Sequence, residues 1–227
     1  MSMKSKILAA AATLTMVGGL SMAGTLAANA ATPSCGHNCI DLFLREFGSH
    51  HGPNFVLDVQ HGTARVGQPI ILYRTSNSDA AEDFTVSFQG TVQDFFNAGL
   101  VSASLNLHYS HNAAFEFEYS PNGANTNLCV GVGSTASNGT PVSLQPCGVS
   151  GKTVWVVDSQ DSIKGFYVPL INGSDTNFSH PFVLHYPGNA FPTDSPRPQL
   201  NTWELQKYSN GTVFDNEMWG ANFGVLK

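Results

Sequence analysis

The chain has 227 residues, a formal net charge of −6 with neutral histidine, and only 11% charged residues. An acidic chain repels phosphate groups, which argues against nucleic acids and anionic membrane surfaces as partners. About 200 residues remain once a leader is removed. A chain of this length suffices for one all-β domain with its own core.

Residues 1–30 have the three parts of a cleavable secretory signal. Lys4 and Lys6 provide the positive start, a long alanine-rich apolar run follows, and Ala28-Asn29-Ala30 forms a small-x-small cleavage site. Glycine, serine and threonine interrupt the apolar run, which favours a signal peptide over a membrane anchor. We therefore expect a secreted mature protein, residues 31–227, with no membrane association after cleavage.

All four cysteines lie after the cleavage site, at Cys35, Cys39, Cys129 and Cys147. An even number of cysteines in an exported chain indicates disulfide bonds. A zinc site is the alternative, but Cys129 and Cys147 lack the closely spaced partners that such sites use. The residues by themselves leave three pairings open.

Short apolar or alternating runs between Gly, Pro, Asn and Ser predict many short strands. One helical turn is predicted at Val92–Ala98, where Gly99 would end it. Many short strands with turns between them favour a sandwich or a closed barrel. The predicted strands include 55–59, 69–73, 84–88, 115–119, 141–144 and 153–157.

Three related segments recur along the chain. The strand 55–59 has similar copies at 128–132 and 182–186, and the first two copies are followed by Gly-x-Pro-apolar-x-Leu, at 67–72 and 139–144. An aromatic residue then closes each segment, and we predict that these three residues are core pillars. The closing motifs are Glu82-Asp83-Phe84, Thr153-Val154-Trp155 and Glu217-Met218-Trp219.

This pattern resembles the ricin-type β-trefoil, the R-type lectin family. The resemblance implies an all-β fold with three four-stranded repeats, approximately 39–90, 114–160 and 165–227, that form a barrel capped by hairpins. The chain departs from the family pattern because it has no strict Gln-x-Trp and because a long connection spans about 90–113. It is therefore expected to be a divergent β-trefoil with loop insertions.

The resemblance also implies a disulfide pairing. The family often joins the second and third strands of a repeat, and Cys129 and Cys147 occupy those positions around a glycine turn. Adjacent strands would bring these two cysteines within disulfide reach. Cys35 and Cys39 would then pair with each other near the mature N-terminus.

In R-type lectins an aspartate accepts hydrogen bonds from two sugar hydroxyls, and an aromatic ring stacks on the sugar. Carried over to this chain, the acidic position is Asp58 and the stacking position is Tyr73. Glu82 replaces the family's glutamine, and Asn77 and Asp79 lie in the nearby loop. The resemblance thus implies a glycan site in the first repeat, with a turn-stabilising role for Asp58 as the alternative.

The other two repeats match the site pattern less well. In the second repeat, Gly131 and Gln145 stand at the acidic and aromatic positions, so no site is expected there. In the third repeat, His185 takes the acidic position and Trp203 offers a ring, which makes this repeat a weaker candidate.

The sequence contains none of the familiar nucleophile, zinc-protease or phosphate-loop motifs, so we predict a protein without enzymatic activity. Glu116 and Glu118 share a strand face, and we predict an exposed polar face there rather than an acid–base pair. The eight histidines do not form a ligand pattern on a helix. We predict no metal site and no cofactor, although Asp175 lies in a polar loop, 171–180, that is a low-specificity calcium candidate.

These features predict a secreted, non-enzymatic carbohydrate-binding protein whose partner is a glycan or polysaccharide. One alternative is a protein ligand or protease inhibitor that acts through the loops near 90–113 and 187–198. Another is an extracellular hydrolase with an unrecognised site. Fold alone does not choose between these functions.

Overall fold

The computed structural model of the chain describes residues 39–45, 55–75, 79–163, 167–188 and 197–223. The predicted signal peptide, Cys35 and Asn77 lie outside the described residues. Across the described ranges, no helix is both long enough and apolar enough to cross a membrane.

The described residues form twelve strands in one connected sheet and two short α-helices. This composition confirms the predicted all-β class. The strands are β1 (Ile40–Leu44), β2 (Phe55–Val59), β3 (Ile70–Arg74), β4 (Phe84–Thr91), β5 (Ala113–Tyr119), β6 (Leu128–Val132), β7 (Thr140–Pro146), β8 (Trp155–Val157), β9 (Leu170–Asn172), β10 (Phe182–His185), β11 (Asn201–Glu204) and β12 (Trp219–Phe223). The helices are α1 (Val92–Asn97) and α2 (Ala103–Tyr109).

Six of the strands form a closed barrel. β1 pairs with β12 and β4, β4 pairs with β5, β5 pairs with β8, and β8 pairs with β9. An antiparallel bridge between Val168, just before β9, and Trp219 in β12 completes the circle. Because the circle is complete, the barrel leaves no open sheet edge.

The other six strands form three hairpins, β2–β3, β6–β7 and β10–β11. The hairpins contact one another around a ring: Pro69 bridges to Ser143, β7 pairs with β11, and Ile71 bridges to Gln199. A six-stranded barrel with three mutually paired hairpins is the β-trefoil arrangement that the sequence predicted.

The predicted core pillars are confirmed. Phe84, Trp155 and Trp219 are all fully buried in the barrel core. The indole Nε1–H of Trp155 donates to the carbonyl of Val130 at 2.9 Å, and that of Trp219 donates to the carbonyl of Leu184 at 2.8 Å. Each tryptophan therefore ties the core of its repeat to the hairpin of the same repeat, whereas Phe84 has no such donor.

The predicted disulfide between Cys129 and Cys147 is confirmed, with the two Cα atoms 5.0 Å apart. It joins β6 to the residue that follows β7. Cys39 is also disulfide-bonded, but its predicted partner, Cys35, lies outside the described residues.

The long connection between β4 and β5 carries both helices. The predicted helical turn is confirmed as α1. A capping box between Thr91 and Asp94 begins this helix, and Gly99, at φ +76°, follows it. The sequence did not predict α2, because Leu105 is its one fully buried residue and the segment has no apolar repeat. Tertiary packing holds α2 in place within a second apolar cluster outside the barrel, formed with Val92, Phe95, Val101, Ala114, Val154, Val156, Ile171 and Val183.

The prediction of an exposed polar face at Glu116 and Glu118 is wrong, since both side chains are buried. Glu116 accepts hydrogen bonds from the backbone N–H of Gly148, at 2.9 Å, and from the hydroxyl of Thr153. Glu118 accepts one from the backbone N–H of Asn127, at 2.7 Å. The loops before β6 and after β7 fold over this face of β5. The two carboxylates accept hydrogen bonds from backbone N–H groups of these loops.

Candidate functional site

The pairing of β2 with β3 puts Asp58 and Tyr73 on one face of the first hairpin. Val56 lies opposite Tyr73, and Asp58 lies opposite Ile71. Directly opposed residues of an antiparallel pair point to the same side, so Asp58 and Tyr73 are diagonal neighbours, about 7–8 Å apart at the backbone. The two residues that the sequence assigned to one site are thus brought together.

Three carboxylates meet beside this hairpin. One oxygen from each of Asp58, Asp79 and Glu82 lies within 4.8 Å of the other two. The carboxylate of Asp79 accepts the backbone N–H of Ala81 at 3.0 Å, which holds the short turn that carries Glu82. The hydroxyl of Thr75, just after β3, donates to Glu82 at 3.1 Å. The hydrogen bonds of this turn therefore hold the carboxylates of Asp79 and Glu82 beside that of Asp58.

Asp58 is nearly buried, like Glu82. It is only 4% exposed, and within the described residues no hydrogen-bond donor reaches its carboxylate. Burial, together with the charge of Asp79 and opposed by the charge of Arg197, raises its pKa to about 7.

Arg197 covers the ring of Tyr73, with its guanidinium carbon 3.5 Å from the ring centroid. Its neighbour Gln199 donates a side-chain hydrogen bond to the carbonyl of Val142 at 2.8 Å, which anchors this part of the chain against the second hairpin. The predicted sugar-stacking ring therefore has one face occupied by a cation from the third repeat. Sequence reasoning missed Arg197, which lies in a proline-rich segment with no motif of its own.

In the second repeat, backbone atoms occupy the space that a side chain at the acidic position would need. A Cβ atom added to Gly131 would lie 2.6 Å from the carbonyl oxygen of Lys152, so no carboxylate side chain fits there. Gln145, at the aromatic position, donates to the hydroxyl of Ser143 at 2.8 Å. This geometry agrees with the expectation of no site in this repeat.

In the third repeat the rings of His185 and Trp203 come together, with centroids 5.6 Å apart. Nδ1 of His185 lies 2.8 Å from the side-chain oxygen of Asn201, and Nε2 lies 3.0 Å from the side-chain nitrogen of Asn216. Burial lowers the pKa of His185, which favours the neutral ring, and the adjacent amide oxygen and amide nitrogen fit a proton on Nδ1. Both ring nitrogens are used internally, and neither remains for a sugar hydroxyl.

A separate groove of about 610 Å³ lies between α2 and loops of the second and third repeats. The ring of His108 stacks on that of Phe178 at 4.3 Å, and Tyr109 contacts the same phenylalanine edge-on. Lys207 and Asp161 form an ion pair at 2.7 Å in its wall. The sequence did not predict this groove.

The same groove contains one nearly buried acid. Asp158 accepts backbone hydrogen bonds from Gln160 and Asp161, and burial together with the charge of Asp161 raises its pKa. Burial, with nearby acids, also raises the pKa of Tyr109 to about 12. The groove therefore combines aromatic surface with hydrogen-bond acceptors.

Histidine takes part in no potential metal-binding group of three side chains within the described ranges. Asp175, the calcium candidate of the polar loop, is buried and accepts the backbone N–H of Asn177 at 2.8 Å. It belongs to no such group either. In the part of the chain that the structure describes, acidic side chains converge in this way at Asp58, Asp79 and Glu82.

No protein-family model and no curated protein matches this chain. Several solved structures match by fold. A designed three-fold symmetric protein, ThreeFoil, aligns at 14% identity over 81% of this chain and 97% of its own, with a TM-score of 0.52. A mosquitocidal holotoxin aligns at 13% identity over 82% of this chain and 17% of its own, with a TM-score of 0.52. An exo-β-1,3-galactanase from Clostridium thermocellum aligns at 12% identity over 82% of this chain and 30% of its own, with a TM-score of 0.51.

These matches confirm the β-trefoil fold. At such low identity they carry no information on the ligand, because unrelated functions share this architecture. The chain corresponds to nearly all of ThreeFoil but to less than a third of the toxin and of the galactanase.

Proposed function

We propose that this protein is a secreted, non-enzymatic carbohydrate-binding β-trefoil, a divergent relative of the R-type lectins. Its glycan site lies in the first repeat, where Asp58 accepts hydrogen bonds from sugar hydroxyls and Tyr73 contacts the sugar ring. Glu82 belongs to the proposed site, and so does Asn77, which lies outside the described residues. The proposal rests on the side-chain geometry of the first hairpin.

One observation carries it: the nearly buried carboxylate of Asp58 meets no hydrogen-bond donor within the described residues, yet shares a face with Tyr73. A pair of adjacent sugar hydroxyls supplies the two donors that a carboxylate accepts. An aromatic body covers the apolar C–H surface of a sugar. Arg197 covers Tyr73 in the free protein, so binding requires this guanidinium to move aside.

A glycan array with the mature protein tests the proposal, with Asp58→Asn as the variant. Asparagine keeps the volume of aspartate but replaces one acceptor oxygen with a donor, so the signal should fall at least about tenfold, as expected when a charged hydrogen-bond acceptor is lost. Asp94→Asn, which changes an exposed acid on α1, is the matched control. Absence of glycan binding by the wild type, or equal binding by Asp58→Asn, contradicts the proposal.

The groove beside α2 favours a second candidate function, in which the loops bind a protein ligand or protease. The insertion between β4 and β5 forms one wall of it, with Tyr109, and Phe178 of the third repeat lies against that wall. Phe178→Ala separates the two functions. It should abolish capture of a protease or protein partner while leaving any glycan signal of the first repeat unchanged.

Export is tested independently of any ligand. We propose cleavage after Ala30, so secreted protein should begin at Ala31 when its N-terminus is sequenced. Retention of residues 1–30 on a membrane-bound product would instead favour the anchor.

A further inference from the structure

The groove beside α2 lies outside the aspartate and aromatic positions of all three repeats. The insertion between β4 and β5 supplies one wall, and the residues that follow β8, precede β10 and follow β11 supply the others. Phe95 of α1 and Leu105 of α2 are fully buried in the second apolar cluster, which holds the insertion against the trefoil. The volume of about 610 Å³ is within the range of ligand-binding clefts, about 300–1,000 Å³.

Two polar groups of this groove are available to a ligand. Asp158 is only 8% exposed, and its hydrogen bonds from the backbone N–H groups of Gln160, at 3.0 Å, and Asp161, at 3.4 Å, both go to Oδ1. Its Oδ2 accepts none from the described residues. The hydroxyl of Tyr109 likewise has no hydrogen-bond partner among the residues that the structure describes. The groove thus offers an acceptor held by its turn and a hydroxyl that is not used internally.

These two groups are neighbours. Burial raises the pKa of Tyr109 to about 12, and after burial the charge of Asp158 contributes most to this shift. A Coulomb interaction weakens with distance, which indicates that the carboxylate and the hydroxyl lie near each other. The hydroxyl of Tyr109 stays protonated at neutral pH, so it can donate while Asp158 accepts. Adjacent hydroxyl groups of a ligand match such a pair.

Aromatic surface lies beside this pair. The ring of His108 stacks on that of Phe178 at 4.3 Å, and Tyr109 contacts Phe178 edge-on. His108 is exposed, so its imidazole presents aromatic surface to solvent. A sugar carries hydroxyl groups around its edge and C–H surface on its face, and binding sites for it combine aromatic rings with a few fixed polar groups.

The charges of the lining favour a neutral ligand. Nζ of Lys207 pairs with Asp161 at 2.7 Å, and the charge of Lys207 also lowers the pKa of Asp158, against the effect of burial. With histidine counted as neutral, the remaining lining residues carry no charge. An anion would meet two carboxylates and a cation would meet the ammonium group, whereas a neutral polyol can bond to all three.

We propose that this groove is a second carbohydrate-binding site, in which a neutral saccharide lies against the ring of His108 and bonds through its hydroxyl groups to Asp158 and Tyr109. The proposal rests on the carbohydrate-binding function proposed above and adds a site that the insertion forms together with loops of the second and third repeats. Two sites let the protein hold a polysaccharide at two points, so its retention on a polymer should exceed that expected from either site alone.

An array of neutral mono-, di- and oligosaccharides tests this site in an Asp58→Asn background, where the site of the first repeat is weakened. Tyr109→Phe removes one hydroxyl and keeps the ring that packs on Phe178, so the protein should melt at the temperature of its parent. Its remaining glycan signal should fall about two- to tenfold, as expected when one hydrogen bond is lost. Tyr208→Phe, the same change at an exposed tyrosine outside the groove, is the control and should leave the signal unchanged.

Asp158→Asn is the second variant. An asparagine oxygen can still accept the N–H groups of Gln160 and Asp161, so the turn should be kept, but an amide nitrogen then replaces Oδ2. The glycan signal of the Asp58→Asn background should fall at least about tenfold, because a charged acceptor is lost. An unchanged melting temperature would show that this loss comes from the groove and not from unfolding.

Failure of the groove site and failure of the first-repeat site give different results. If Asp58→Asn alone abolishes all glycan binding, or if neither Tyr109→Phe nor Asp158→Asn lowers the remaining signal, the groove proposal is overturned and the first-repeat site is judged on its own. If Asp58→Asn has no effect and the groove variants lower the signal, the groove stands and the first-repeat site is rejected. Loss of protein capture in Phe178→Ala with an unchanged glycan signal would assign the groove to a protein partner, and a wild type that binds no glycan would overturn both sites.

Discussion

The guanidinium carbon of Arg197 lies 3.5 Å from the ring centroid of Tyr73, so a cation of the third repeat covers an aromatic ring of the first. The bridge between Ile71 and Gln199 brings the two repeats together at this point. The ring that the family pattern assigns to sugar stacking is therefore already engaged in the free protein.

We expect Arg197→Ala to strengthen glycan binding. A cation–π contact at a partly exposed site is worth about 0.5–1 kcal/mol, and removing it should lower the glycan Kd by up to about fivefold. Calorimetry at about pH 9 keeps Asp58 ionised even without the nearby cation. Arg74→Ala, an exposed arginine next to Tyr73 in sequence, is the control. Weaker binding by Arg197→Ala would instead identify Arg197 as a direct glycan ligand.

Glycan binding should increase as the pH rises through neutrality. Burial and Asp79 raise the pKa of Asp58 to about 7, and a carboxyl group accepts two hydroxyl donors only when it is ionised. Affinity should therefore rise between about pH 6 and about pH 8 and then level off. Asp58→Asn should remove this dependence, as measured by affinity at several pH values. A pH profile shared by wild type and variant would assign the titration to another group.

Trp219→Phe should destabilise the fold because it leaves the carbonyl of Leu184 without its 2.8 Å donor. Loss of a partner to a buried polar group costs about 1–3 kcal/mol, and the smaller ring adds a cavity. Urea unfolding followed by circular dichroism measures the change. Trp203→Phe, at a partly exposed position in the same repeat, is the control and should cost less. Equal losses in the two variants would show that the indole hydrogen bond contributes little.

Glu217→Gln should stabilise the protein at alkaline pH. Burial raises the pKa of Glu217 from 4.5 to about 8, partly opposed by a hydrogen bond from the backbone N–H of Gln206. The folded state thus binds more protons than the unfolded state between these values, and stability falls as the pH rises through them. Glutamine still accepts the bond from Gln206, so unfolding free energies should fall less steeply with pH.

The control for this prediction is Glu204→Gln, which changes a partly exposed glutamate of the same repeat. Relative to wild type, Glu217→Gln should gain on the order of a few kcal/mol above about pH 8 and little at about pH 4. A parallel pH dependence in Glu217→Gln and wild type would contradict the assignment.

Much of the fold followed from short sequence patterns. The strand 55–59 was predicted with its observed bounds, and the closing aromatics were predicted as core because each follows a turn that returns the chain to the barrel. The disulfide followed from the resemblance, since Cys129 and Cys147 flank one hairpin. These features depend on neighbours within one repeat. The burial of Glu116 and Glu118 did not follow, because it depends on how the loops at Asn127 and Gly148 fold back over β5, and alternation along the strand carries no information on that.

The sequence by itself determined the repeating units and the closing aromatic of each, because these are set by local spacing, and its resemblance to the R-type lectins implied that Asp58 and Tyr73 lie together in one hairpin. Only the tertiary structure decided what surrounds that pair. Closure of the barrel and of the three hairpins brings Arg197 onto Tyr73 and α2 onto the groove at Phe178. Contacts between distant segments carry no local periodicity, so the burial and charge that tune the site arise only when the three repeats pack together.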